Sequence, residues 1–187
     1  MPLVHTADAS RGEWIRDGLG AWATISRGHR DPGLAEDGWH YGAPEQGKLP
    51  VEQLAAVAGI LAGHTAAPED CIAGLWEGWG WISMSRPRLE LPGRGYLLFG
   101  CAVREFEDPD WGARSGWDSL YGRFWGQTPN QLWPEDRSWF LASEVDFDST
   151  LIGGSLALVA ELLAHPALEA AEIPENSSLT HDADRIN

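Results

Sequence analysis

One lysine, two cysteines and two methionines are all that these 187 residues hold of those types. With Lys48 as the single lysine, a lysine nucleophile has one candidate position. Two cysteines, Cys71 and Cys101, are too few for a disulfide framework and point to a reducing cytoplasm. Zinc spacing is missing as well. His5, His29, His40, His64, His165 and His181 are scattered, with no His-x-x-x-His pair and no Cys-x-x-Cys. No apolar run nears the roughly 20 residues of a membrane helix. The longest, Leu156–Ala164, is nine residues and contains Glu161. Met1 to Asp8 has neither a basic nor an apolar stretch, so no signal peptide is expected.

Positive charge is the other scarcity. Net charge is −15, with 13 Lys and Arg against 28 Asp and Glu. Residues 126–187 carry two basic and 11 acidic side chains, so most of the negative field belongs to the last third. Such a surface repels phosphate backbones and anionic membranes, which excludes nucleic acid and lipid as expected partners. It attracts a basic protein. Hydrophobic residues make up 43% of the chain and charged residues 22%, the balance of a globular protein. The length suits a single domain over 1–187 with one core.

Residues 11–25 place Trp14, Ile15, Leu19 and Trp22 on an approximate helical stripe, which Gly18 and Gly20 weaken. Residues 26–49, rich in Gly, Pro and charge, read as a long loop. Pro50 suits a first helical turn; Leu54, Val57, Ala58 and Leu61 follow at helical spacing, and Gly63 can close the helix. Cys71–Ser83 and Gly95–Arg104 predict strands joined by a hairpin-type connection. Residues 105–135 read as a second long loop, with a short helical piece over Leu120–Trp125. Ser138–Asp148 predicts a third strand. Ser155 is a good N-cap for a helix over Leu156–His165, which Pro166 ends. Residues 175–187 form a polar tail. The sum is an α+β fold, an antiparallel sheet of three or more strands with two to three flanking helices.

Two segments carry chemistry. In a strand, Glu144, Asp146 and Asp148 share one face, where Asp146 and Asp148 could ligate a divalent cation such as Mg²⁺ or Ca²⁺. Glu144 would be a further ligand or a base in a metal-dependent hydrolase. Neighbours at i and i+2 stand about 7 Å apart, so two of the three could share one ion. The competing reading is a solvated edge or pairing with arginine, Arg137 being the obvious candidate. No other cofactor is expected. Glu77 with these acids could also form a glycosidase-like carboxyl pair. Asp146-Phe-Asp-Ser-Thr150 is similar to the first motif of haloacid-dehalogenase-like phosphatases, but only 39 residues follow Asp148 and none is lysine. The second segment is Trp76-Glu-Gly-Trp-Gly-Trp81, in a chain with 11 tryptophans. Trp76, Trp79 and Trp81 could stack on sugar rings, and with Glu77, Trp133 and Arg137 they could anchor a partner; the competing reading is that the tryptophans fill the core.

The cysteines, both in apolar strands, would need a base such as His64 to act as nucleophiles. Gly153-Gly-Ser155 reads as a tight turn before a helix. Gly47-x-Leu-Pro50, Leu54 to His64-Thr65, Pro68, Cys71 and Trp76-Glu-Gly78 form one set of words. Trp133-Pro-Glu-Asp-Arg-Ser-Trp139, Ala142, Glu144-x-Asp-Phe-Asp-Ser-Thr150, Gly153-Gly-Ser155 and Asp182-Ala-Asp-Arg-Ile-Asn187 continue it. In that order they resemble a family of uncharacterised proteins from high-GC Gram-positive bacteria, over residues 47–187. Members carry an upstream Val-Pro-x-x-Phe-x-x-Tyr-like segment where this chain has Gly20-Ala-Trp-Ala-Thr-Ile-Ser26. The resemblance implies a shared fold and brings no activity with it. The expected function is therefore a non-catalytic, cytoplasmic binding protein with a protein partner, in one version immunity- or inhibitor-like. The metal-dependent hydrolase and a tryptophan-based carbohydrate-binding module are the alternatives.

Overall fold

A computed structural model describes residues 21–26, 46–80, 85–115 and 126–174. The strands are β1 (Ala21–Ser26), β2 (Cys71–Trp76), β3 (Arg88–Leu91), β4 (Arg94–Cys101), β5 (Gln131–Pro134), β6 (Phe140–Ala142), β7 (Ser149–Gly154) and β8 (Glu169–Glu172). They form one sheet in the order β3-β4-β2-β5-β6-β7-β1-β8, antiparallel at every step. Two helices, α1 (Val51–Gly63) and α2 (Leu156–Ala164), complete the described elements with three short 3₁₀ turns. The fold class is α+β, as strands linked by short turns with helices before and after them predict.

Helix α1 forms because Leu54, Val57, Ala58 and Leu61 recur at i, i+3, i+4 and i+7, and all four are buried. Pro50 stands at its N-cap, and the Pro50 carbonyl receives Leu54 N–H at 2.8 Å. Gly63 is the last helical residue and His64 the cap, its N–H returning to the Leu61 carbonyl at 3.1 Å. Ser155 caps α2, its Oγ accepting Leu158 N–H at 3.2 Å. Both helices belong to one side of the sheet: α2 packs on β1, β7 and β8, and α1 on α2 and the 3₁₀ turn Val103–Glu107.

Strand alternation sorts the sheet residues. Cys71, Ala73 and Leu75 of β2, Leu97 and Phe99 of β4, Leu132, Leu141, Ile152, Ala23 and Ile25 join the helices in the main core. The other face gathers Leu89, Tyr96 and Leu98, with Ile72, Trp76, Leu91 and Trp133 packed against them.

Several sequence expectations change. Ala21–Ser26 is a strand, with Ala23 and Ile25 buried at period two, so pairing with β7 and β8 overrides the last part of the helical stripe drawn over 11–25, whose residues 11–20 lie outside the described residues. The strand expected over Cys71–Ser83 ends at Trp76, where Glu77–Trp79 turns as a 3₁₀ piece closed by Gly80 at φ 72°. The hairpin connection itself contributes β3, closed by Gly93 at φ 81°. Residues 105–135 are not one loop: Val103–Glu107 and Trp111–Ala113 are 3₁₀ turns, and Gln131–Pro134 is β5. The third strand is only Phe140–Ala142. Gly153 and Gly154 are strand residues opposite Trp22 and Ala21, not a turn. Most of the 26–49 loop, the Leu120–Trp125 piece, Trp81 and the 175–187 tail lie outside the described residues. No helix among the described residues is long and apolar enough to cross a membrane.

Candidate functional site

The acidic segment is a turn. Phe147 N–H bonds the Glu144 carbonyl at 3.0 Å, so Glu144–Phe147 reverses the chain between β6 and β7, and strand alternation does not apply. Glu144, Asp146 and Asp148 therefore do not share a strand face. Gly47 docks on this turn, its N–H on the Phe147 carbonyl at 3.0 Å. A Cβ at Gly47 would come within 2.9 Å of Val145 Cα, and its φ is 76°, so the approach requires glycine.

Arg94, the first residue of β4, organises the surface beside it. Its Nε donates to Glu144 Oε1 at 2.9 Å and its Nη2 to Asp146 Oδ2. Its guanidinium lies 5.4 Å from the Trp76 ring centroid, a cation–π distance. Trp76 meets Trp79 edge to face, with centroids 5.6 Å apart. Glu77 pairs with Arg88, which also reaches Glu90 at 3.3 Å. The Glu77 carboxylate rests over Gly95, where a Cβ would stand 2.8 Å from it. Trp76, Glu77, Trp79, Glu144 and Asp146 are thus brought together, around an arginine that sequence reading did not single out. Arg94 follows a turn glycine, and nothing in its spacing marks it.

Asn130 supports the cluster from below and is 1% exposed. Its Oδ1 accepts Trp76 N–H at 2.9 Å and Trp79 Nε1–H at 3.2 Å. Its Nδ2 donates to the carbonyls of Gly47 at 2.8 Å and Ser143 at 3.1 Å. Every hydrogen-bonding position of the amide is used. Gln127 and Thr128 tie the same stretch further, Gln127 Nε2 to the Gly47 carbonyl at 3.1 Å and Thr128 Oγ1 to both backbone groups of Leu49.

Other candidates stand apart. Asp148 is exposed and outside the Arg94 arrangement. Trp133 packs on Phe140 at 5.9 Å. Arg137, at φ 58° in the β5–β6 turn, lies beyond Pro134 at the Cys71 end of β2, whereas Glu144 lies beyond Ala142 at the opposite end. Arg137 therefore cannot be the partner of the acids; Arg94 is. At the Cys71 end, Asp136 accepts from Thr65 Oγ1 at 2.8 Å, Ala66 N–H at 2.7 Å and Ser138 Oγ at 2.8 Å. Burial pushes its pKa up, but the Ser138, Ala66 and Thr65 donors outweigh it and hold the carboxyl below the ordinary value.

The chemistry of these groups is limited. A cation at Asp146 would have to displace a guanidinium, and no group of three or more metal-ligating side chains occurs among the described residues. Trp76 and Trp79 stand at 79° to one another, which makes no flat platform for a sugar. His64 Nε2 bonds Glu161 Oε2 at 2.7 Å, so this histidine ties α1 to α2. Cys71, pushed by burial and by Asp136, Asp70 and Glu69 to about 11, is no ready nucleophile. The chain matches no protein-family model, no curated protein and no solved structure.

Proposed function

We propose that this chain is a non-catalytic binding protein whose partner is a basic protein. The observation that carries this reading is the spatial segregation of charge. Positions 138–184 contain no lysine or arginine. Among the described residues, β6, β7, β1, β8 and α2 carry no Lys or Arg, and their only charged side chains are Glu161 on α2 and Glu169 and Glu172 on β8, while every described Lys and Arg lies between Lys48 and Arg137. The charge at this end of the sheet is therefore negative only, carried by the helix and by the outermost strand β8, where Glu161, Glu169 and Glu172 are exposed. One-signed fields speed association with an oppositely charged partner and weaken with salt.

The metal-dependent hydrolase gains no support from a turn whose acids face an arginine, nor the carbohydrate-binding module from two crossed rings. The cytoplasmic location and the kinship with the Gram-positive family belong to the same proposal. The test is affinity capture from a cell extract at about 50 and 300 mM salt, with wild type and a Glu161→Gln/Glu169→Gln/Glu172→Gln variant. A stoichiometric basic protein, retained at low salt and lost with the variant, is expected. Equal capture by both proteins overturns the proposal.

A further inference from the structure

The only two cysteines of the chain, Cys71 and Cys101, are register partners on neighbouring antiparallel strands β2 and β4. Directly opposed residues in such a pair point to the same face. Their Cα atoms are separated by about 4.5 or 5.5 Å, depending on the hydrogen-bonding position. Both spacings fall inside the roughly 4.4–6.8 Å that a disulfide spans. The two residues are free thiols, Cys71 buried and Cys101 half-buried. Cys101 lines a surface cleft of about 190 Å³ together with Phe99, Phe106, Trp111 and Ser115. A small oxidant can enter that cleft, whereas Cys71 is 2% exposed and does not line it.

We infer that Cys71 and Cys101 are an intramolecular redox pair that closes to a cross-strand disulfide under peroxide. The Cys101 thiolate attacks a peroxide oxygen, the O–O bond breaks and Cys101 becomes a sulfenic acid, with hydroxide leaving as water after protonation. The Cys71 thiolate then attacks the Cys101 sulfur, and the S–O bond breaks with loss of a second hydroxide. Two thiols lose two electrons, one hydrogen peroxide gains them, and two waters form. The new bond closes a loop containing β3 and the Trp76–Gly80 turn, so it fixes the strand that carries Arg94 against the strand that carries Trp76. Burial raises both thiol pKa values, and carboxylates near Cys71 add to the effect, so the reaction is slow at neutral pH and accelerates in alkali.

The test treats the folded full chain with hydrogen peroxide at pH 7 and pH 9, followed by intact mass and non-reducing peptide mapping. A loss of about 2 Da, a Cys71–Cys101 linked peptide, a monomeric species and a rate that rises severalfold or more between the two pH values are expected. The melting midpoint rises by several degrees on oxidation and returns with reductant. Cys71→Ala is expected instead to gain about 16 or 32 Da on Cys101. Wild type that gains oxygen without a linked peptide, forms linked dimers, or reacts only after denaturation overturns the inference. Cys101→Ala gives a second check should Cys71→Ala not fold: it is expected to stay unmodified.

Discussion

Trp139 donates its indole N–H to the Leu61 carbonyl at 3.0 Å, both residues being wholly buried. That bond joins the turn after β5 to the last turn of α1, as a second bond on a carbonyl that also receives His64 N–H. Trp139→Phe removes the donor and leaves a small void. A loss of about 2–3 kcal/mol is expected. Chemical denaturation should show a lower midpoint with an unchanged slope.

Asn130→Asp keeps the shape and reverses two of the four bonds. The Gly47 and Ser143 carbonyls would then face a carboxylate in place of an amide donor. Buried repulsion and lost bonds are expected to cost several kcal/mol at pH 7, with partial recovery at pH 4 as the new acid protonates. Urea titrations at the two pH values measure the difference.

The Arg94–Glu144 contact is half-exposed, with Arg94 24% and Glu144 33% accessible. A double-mutant cycle with Arg94→Met and Glu144→Gln is expected to return a coupling of about 0.2–1 kcal/mol that shrinks in 1 M salt. A larger, salt-insensitive coupling would assign the pair a heavier structural role. In the same background, millimolar Mg²⁺ or Ca²⁺ is expected to leave the wild-type melting midpoint unchanged. An upward shift that disappears in Asp146→Asn would make the turn a cation site.

Asp136 titrates below its ordinary value because Ser138, Ala66 and Thr65 donors outweigh its burial. A depressed folded pKa means the stabilisation is complete above the unfolded value near 3.8 and disappears as pH falls through the folded one. Asp136→Asn is therefore expected to lower stability at pH 7 and to differ less from wild type at about pH 2. Melting curves across that range give the comparison.

Both helices were legible because their buried residues recur in one stripe and their ends carry a proline or a serine. Strand β4 was legible as a run apolar on both faces. Strand β1 was not: Trp22 and Ile25 fit a helical stripe as well as a strand, and its partners lie far along the chain. The acidic turn misled for a related reason. Alternation of acid and apolar residues over Glu144–Asp148 mimics a strand, while the bond that makes it a turn is backbone to backbone and leaves no mark in residue type. Arg94 and Asn130 escaped notice because a single polar side chain signals its role only through neighbours supplied by other strands. The charge segregation, by contrast, was visible from counting alone.

The place of β1 between β7 and β8 has a consequence during synthesis. Ala21–Ser26 leaves the ribosome well before both strands that cover its edges, residues 149–154 and 169–172. At about 5–20 residues per second, Ala23 and Ile25 wait roughly 8 to 30 s without their native partners. The β3-β4-β2-β5 half can form meanwhile, since its strands lie between residues 71 and 134. This sheet therefore cannot be completed before residue 172 has been made, and a chain stopped before residue 149 carries an open strand with an apolar face, an invitation to aggregation.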